Sequence, residues 1–191
     1  MVTAHVLPLG PVRRRRNAPA LPYPADSPEG LAARWVRWAA GTPMERNPIA
    51  DPVGNYADAQ QPDDVWFLAG TFGTSVVRHC TVPFGRALFF PAFNMWHHKP
   101  QGPPPHLPRA WGRLTVDDTP IDLDVVATPV PFTVTGAAGN PVTGTRRPVA
   151  MTVWGHWKRL DPLWHGAHTV AFSGGDGHRF TVSATYRITV R

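Results

Sequence analysis

Histidine is the side chain best suited to chemistry near neutral pH, and this chain holds nine. A neutral imidazole ligates transition metals, and its titration near neutrality lets it carry protons. His97, His98 and His106 lie in one proline-rich stretch, WHHKPQGPPPH. Adjacent residues of an extended chain point to opposite faces, so His97 and His98 do not readily chelate one ion together. That stretch holds no Asp or Glu, and neither the cupin metal pattern nor an HxD pair of the non-haem iron type occurs. These histidines therefore read as surface residues first and ligand contacts second. No metal site and no cofactor are expected. His156 stands between two tryptophans in VWGHWKRLD, while His165 and His168 flank a turn in LDPLWHGAHTV. A general acid or base needs a partner, and Asp122, Asp124 and Asp161 are the carboxylates on offer. For an enzyme, His98, His156 and Asp124 are the first candidates.

Other reactive groups read more plainly. Cys80 has no redox or cysteine-protease spacing around it and reads as a small buried side chain of a strand. Ser173-Gly174-Gly175-Asp176-Gly177 shares only its glycines with a phosphate loop, lacks the lysine and the following helix, and reads as a hairpin turn. Eight tryptophans suit both a core and a ligand pocket, because indole buries well and still offers an N–H. Trp96, His97, His98, Trp154 and Trp157 form the candidate ligand-binding set.

The elements that must position these residues are mostly strands. Proline, at 23 residues, cannot be housed in helix interiors, where it lacks a donor and clashes with the preceding turn. One helix is expected at 28–40: Ser27 as cap, Pro28 at the first position, Glu29 at the positive end of the dipole. Leu31, Trp35 and Trp38 give it one apolar stripe. Residues 42–64 read as loop, then strand-like pieces start at Val65, Ser75 and Arg86. Phe93 to Pro108 reads as a long surface loop. Further strands are expected from Trp111, over Ile121 to Val125, and in PFTVT, PVAMTVWGHW and AHTVAFS. From Phe180 to Val190 six apolar residues alternate with five polar ones, the signature of a strand with one buried face. Strands at this spacing without helices between them predict a mostly β chain. The expected architecture is an antiparallel two-sheet sandwich, jelly-roll-like, with one N-terminal helix. Residues 1–26 form an extended Pro/Arg-rich arm, and 27–191 form the domain.

Charge and composition bound the partners. The formal charge is +6, but without the run Arg13 to Arg16 only 15 basic residues face 13 acidic ones. The body is nearly neutral, which argues against nucleic acid. All but two of the 19 basic residues, Lys99 and Lys158, are arginine, as expected of a GC-rich bacterial genome. One cysteine excludes an internal disulfide framework, and no signal peptide or membrane-spanning stretch is legible, so the cytoplasm is the expected compartment. The arm offers a route to a homo-oligomer.

Several blocks resemble a known family. WVRWA, NPIAD-PVG, VWFLAGTFG and RHCTVPFGRALFFP, followed at the end by HTVAFSGG and TYRITV, are similar to those of a family of small, uncharacterised, often exported bacterial proteins. The resemblance covers residues 31–91 and 163–190. It implies a cysteine shortly before the VWFLAG block, paired with the one matching Cys80. Here that stretch reads GNYADAQ, with Ala57 near the expected place. It implies a signal peptide as well, which this chain lacks; both departures suit a cytoplasmic relative. No reaction and no catalytic residue come with it.

Three functions stand open on the sequence. The first is an accessory protein that binds a small molecule or a partner. The second is a cofactor-independent enzyme of bacterial specialised metabolism, a cyclase, isomerase or hydrolase with an aromatic pocket and His/Asp acid–base groups. The third is an assembly component docking through its arm. A deep, Trp-lined cavity holding a buried histidine of shifted pKa favours the enzyme, and a filled sandwich with no cavity leaves a binding surface.

Overall fold

The computed structural model describes residues 19–191. Arg13 to Arg16, and with them most of the arm, lie outside the described residues. The part of the arm that is described does not stand away from the domain. Leu21 and Tyr23 pack on the core, and the Tyr23 hydroxyl donates to Val130 O and accepts from Val130 N.

Helix α1 spans Pro28–Ala40, and its ends are capped as the sequence leads one to expect. Ser27 Oγ accepts from Gly30 N at 3.0 Å, and Gly41 N donates to Arg37 O at 2.8 Å. The loop that follows is wrapped over the helix. Asn47 Nδ2 reaches the carbonyls of Ala39 and Thr42, and Trp38 Nε1 reaches Ala59 O.

Ten strands follow, in two sheets. In the first, β1 (Val65–Phe67), β3 (Ala87–His98), β8 (Val149–Leu160) and β6 (Asp124–Ala127) lie in that order, with β7 (Phe132–Val134) also on β8. The second runs β2 (Ser75–Val82), β10 (Thr181–Val190), β9 (Gly166–Gly175), β4 (Trp111–Val116), β5 (Thr119–Pro120). Pairing is antiparallel except β1 with β3 and β10 with β2, so each sheet is mixed.

The expected sandwich thus carries a third layer. β1 and the first half of β3 are buried on both faces, which is why VWFLA and ALFF read as unbroken apolar runs. Phe67 and Phe89 turn to the helix and meet Trp35, Trp38 and Trp157. Trp66, Leu88 and Phe90 turn to the second sheet and meet Phe172, Tyr186 and Ile188. The alternating C-terminal strand behaves as its pattern requires: Val182, Ala184, Tyr186, Ile188 and Val190 are all buried.

Two expectations are corrected. The supposed loop from Phe93 is strand as far as His98, paired with β8 from Phe93↔His156 to His98↔Met151. Pro91 does not stop it because the register shifts between Pro91 and Phe93, a bulge where no ladder donor is required. The strand read over Ile121 to Val125 starts only at Asp124. Ile121 and Leu123 pack between the sheets, but Val126 turns to the helix layer and leaves Val125 58% exposed. Pairing with β8 (Val126↔Gly155) sets that register and overrides the local alternation.

Candidate functional site

The candidate catalytic residues do not converge. His98 and His156 belong to opposite faces of the first sheet, since Phe93 opposes His156 while His98 opposes Met151, five positions on. Five positions are about 17 Å of strand. His98 Nε2 lies 2.8 Å from Val142 O, and His156 Nε2 lies 3.3 Å from Ala110 O. Asp124 is a surface residue in an ion pair with Lys158, at 3.4 Å.

The candidate ligand set is also divided. Trp157 packs in the core, fully buried and stacked on Phe89 at 5.3 Å with its ring edge to Trp35, and it also lines a depression between α1 and β6. Its Nε1 has no partner among the described residues. Trp154 is buried as well, edge-on to both His106 and His156 at 5.4 Å. His97 opposes Thr152 across the ladder, and His97 Nε2 and Thr152 Oγ1 are buried without partners among the described residues. Burial, and then the nearby charge of His98, hold His97 below the usual histidine range, so it is neutral near pH 7. As expected, it faces the opposite way to His98.

Cys80 sits in β2, and burial pushes its thiol up to about 12. So protonated a sulfur is a poor nucleophile. His168 does meet a carboxylate: its Nδ1 is 2.7 Å from Asp117 Oδ2, and its Nε2 is 2.9 Å from Trp164 O. Both ring nitrogens are therefore engaged as donors, which raises the imidazole above its ordinary value, with the Asp117 hydrogen bond as the largest cause. Among the described residues no group of three or more His, Cys, Asp or Glu could hold a metal ion.

The depression between α1 and β6, of about 330 Å³, is lined by Trp157 and Asp124 together with Asp26, Glu29 and Arg159. Of the candidate ligand set, only Trp96 lines a smaller and more apolar cleft, a half-open space of about 250 Å³ beside β3. Trp35 and Ile49 form its wall on the helix side, and Phe180 and Val182 form the wall on the second sheet. Gly70, Thr71 and Phe72 make its mouth, and Pro91 to Trp96 run along its length. The cleft exists because β1 is short. It pairs with β3 only over Ala87–Phe89, after which the chain crosses to the second sheet, where Ala69 N donates to the Tyr186 hydroxyl.

No titratable side chain lines this cleft, and Thr71 is already committed to Thr74. One of its polar side-chain atoms, Asn94 Nδ2, is fully buried and without a partner among the described residues. The sequence reading missed Asn94, Phe93, Phe72 and Phe180 altogether. The available signal was a single amide inside the apolar run FFPAFNMW, and it was obscured by placing a loop there.

No helix of the described residues is long and apolar enough to cross a membrane. Comparison with known proteins finds no matching family model, no similar curated protein and no similar solved structure.

Proposed function

We propose that this chain is a binding protein that holds a small apolar molecule in the cleft between Trp35 and Phe180. One observation carries the reading: a concave, aromatic-walled space with no acid, base or nucleophile on its walls. Such a lining gains free energy by excluding water from an apolar ligand, and it has nothing with which to transfer a proton. The enzyme reading asks for one or two acid–base groups on an aromatic pocket, and neither His98, His156 nor Asp124 lies on the walls of this cleft. We also place the protein among the relatives of the family whose VWFLAGTFG and CTVP-G-ALFFP blocks it resembles, and in the cytoplasm.

Gly70 supplies the test. A Cβ there would meet nothing within 4 Å, so Gly70→Leu fills the mouth of the cleft without a collision. Indole, followed by calorimetry, is expected to bind the parent with a sub-millimolar Kd, about −4 to −6 kcal/mol. Gly70→Leu is expected to lose at least tenfold of that affinity while melting at the parent temperature. Equal binding by both chains contradicts the assignment.

A further inference from the structure

The cleft lies along a strand edge, and the polar groups it offers are those that match a peptide bond. Six consecutive residues, Pro91 to Trp96, line it. Neighbouring residues of a strand face opposite ways, so a cleft over one face would collect only alternate residues. One that touches all six runs beside the backbone.

The topology explains why that edge is vacant. Leu68 N still donates to Phe89 O at 3.2 Å, but Ala69 already belongs to the Tyr186 hydroxyl in the second sheet. Beyond Phe89, β3 continues to His98 with β8 as its one strand partner among the described residues. Backbone N–H and C=O groups facing the vacated lane are unpaired by any strand, and such groups seek partners. Independently, Asn94 Nδ2 is buried beside the same lane and has no hydrogen-bond partner among the described residues. A dry, unpaired amide donor is unfavourable until an acceptor arrives. Absence of ionisable groups from the walls excludes a charged ligand, which would be desolvated without compensation.

We infer that the ligand is neutral and peptide-like: an apolar group carrying a capped amide, of the size of one acylated aromatic amino acid. Its carbonyl accepts from Asn94 Nδ2, its N–H donates to an edge carbonyl of β3, and its side chain lies between Trp35 and Phe180. This rests on the cleft being a binding site, and the experiment separates the two claims.

Calorimetry on the full chain compares N-acetyl-L-phenylalaninamide with toluene, which offers the same ring and no amide. The amide probe is expected to bind at least tenfold more tightly. In Asn94→Leu that advantage falls at least tenfold and the melting temperature does not drop, because an unpaired amide has been removed. Asn94→Ala serves as a second variant and is expected to show the same loss of preference. Equal affinity for the two probes in the parent, or an undiminished preference in both variants, overturns the ligand class and leaves the cleft. Failure of both probes to bind overturns the cleft as well.

Discussion

Arg78 shows how far a single side chain can organise this molecule. It is buried, and it donates to the carbonyls of Ile49, Asp51, Ala69 and Gly70 and to the Tyr186 hydroxyl, all within 3.0 Å. Arg78 forms no ion pair with a carboxylate among the described residues; five oxygen acceptors disperse the guanidinium charge instead, with the Tyr186 ring 5.6 Å away. It therefore fixes the loop before β1 and the crossover after it, the two segments that frame the cleft. Arg78→Leu strands buried carbonyls and is expected to cost about 3–5 kcal/mol in chemical denaturation. A loss under about 1 kcal/mol would contradict that role.

His168 and Asp117 set a pH dependence at the same scale. His168 is raised above 6.5, so its contribution is complete below that value and is lost as pH rises through the folded pKa. Asp117 is held below 3.8, first by Thr169 N and then by His168, so its contribution is lost as pH falls through its own folded pKa. The pair is strongest between about pH 4 and 6.5 and, being partly exposed, is worth less than about 1 kcal/mol. Asp117→Asn is expected to lower the His168 pKa followed by NMR titration; an unchanged midpoint would contradict the pairing.

Among the elements, β2 is an edge strand whose outer side is covered by a loop. His79 N donates to Val53 O at 2.9 Å, and Gly54, at φ +100°, lies so close that a Cβ would sit 2.3 Å from His79 O. Ala57 and Cys80 line one depression beside this contact. The family resemblance implies a cysteine pair at this place. Ala57→Cys is accordingly expected to form a disulfide with Cys80 on oxidation, counted by loss of free thiols, and to stabilise the fold by about 3 kcal/mol. Oxidation should be slow at neutral pH because the Cys80 thiolate is scarce. Two persistent free thiols would contradict the pairing that the resemblance implies.

For the molecule as a whole, the strands were legible in proportion to how local their signals are. Phe180 to Val190 alternates because it has one buried face, and Ser27–Pro28–Glu29 carries a start signal within three residues. Those elements follow from short-range pattern. β3 past Pro91 does not, because its strand state depends on pairing with β8 some 55 positions away and on a bulge that excuses the proline. The helix on the far face of the first sheet is a similar case: Trp35 and Trp38 announce that something apolar covers them, but not which sheet. The cleft was the least legible feature. It is a lane left empty by the brevity of β1, and its polar group, Asn94, matters because of what fails to reach it.

The central claim is that this lane takes an apolar ligand, and mapping a bound probe by amide chemical shifts tests it most directly. Titration of the full chain with indole is expected to move the resonances of Gly70 to Phe72, Asn94 to Trp96 and Val182, leaving His98, Asp124 and Lys158 unmoved. Shifts centred on His98 or Asp124, or no saturable shift at all, would contradict it.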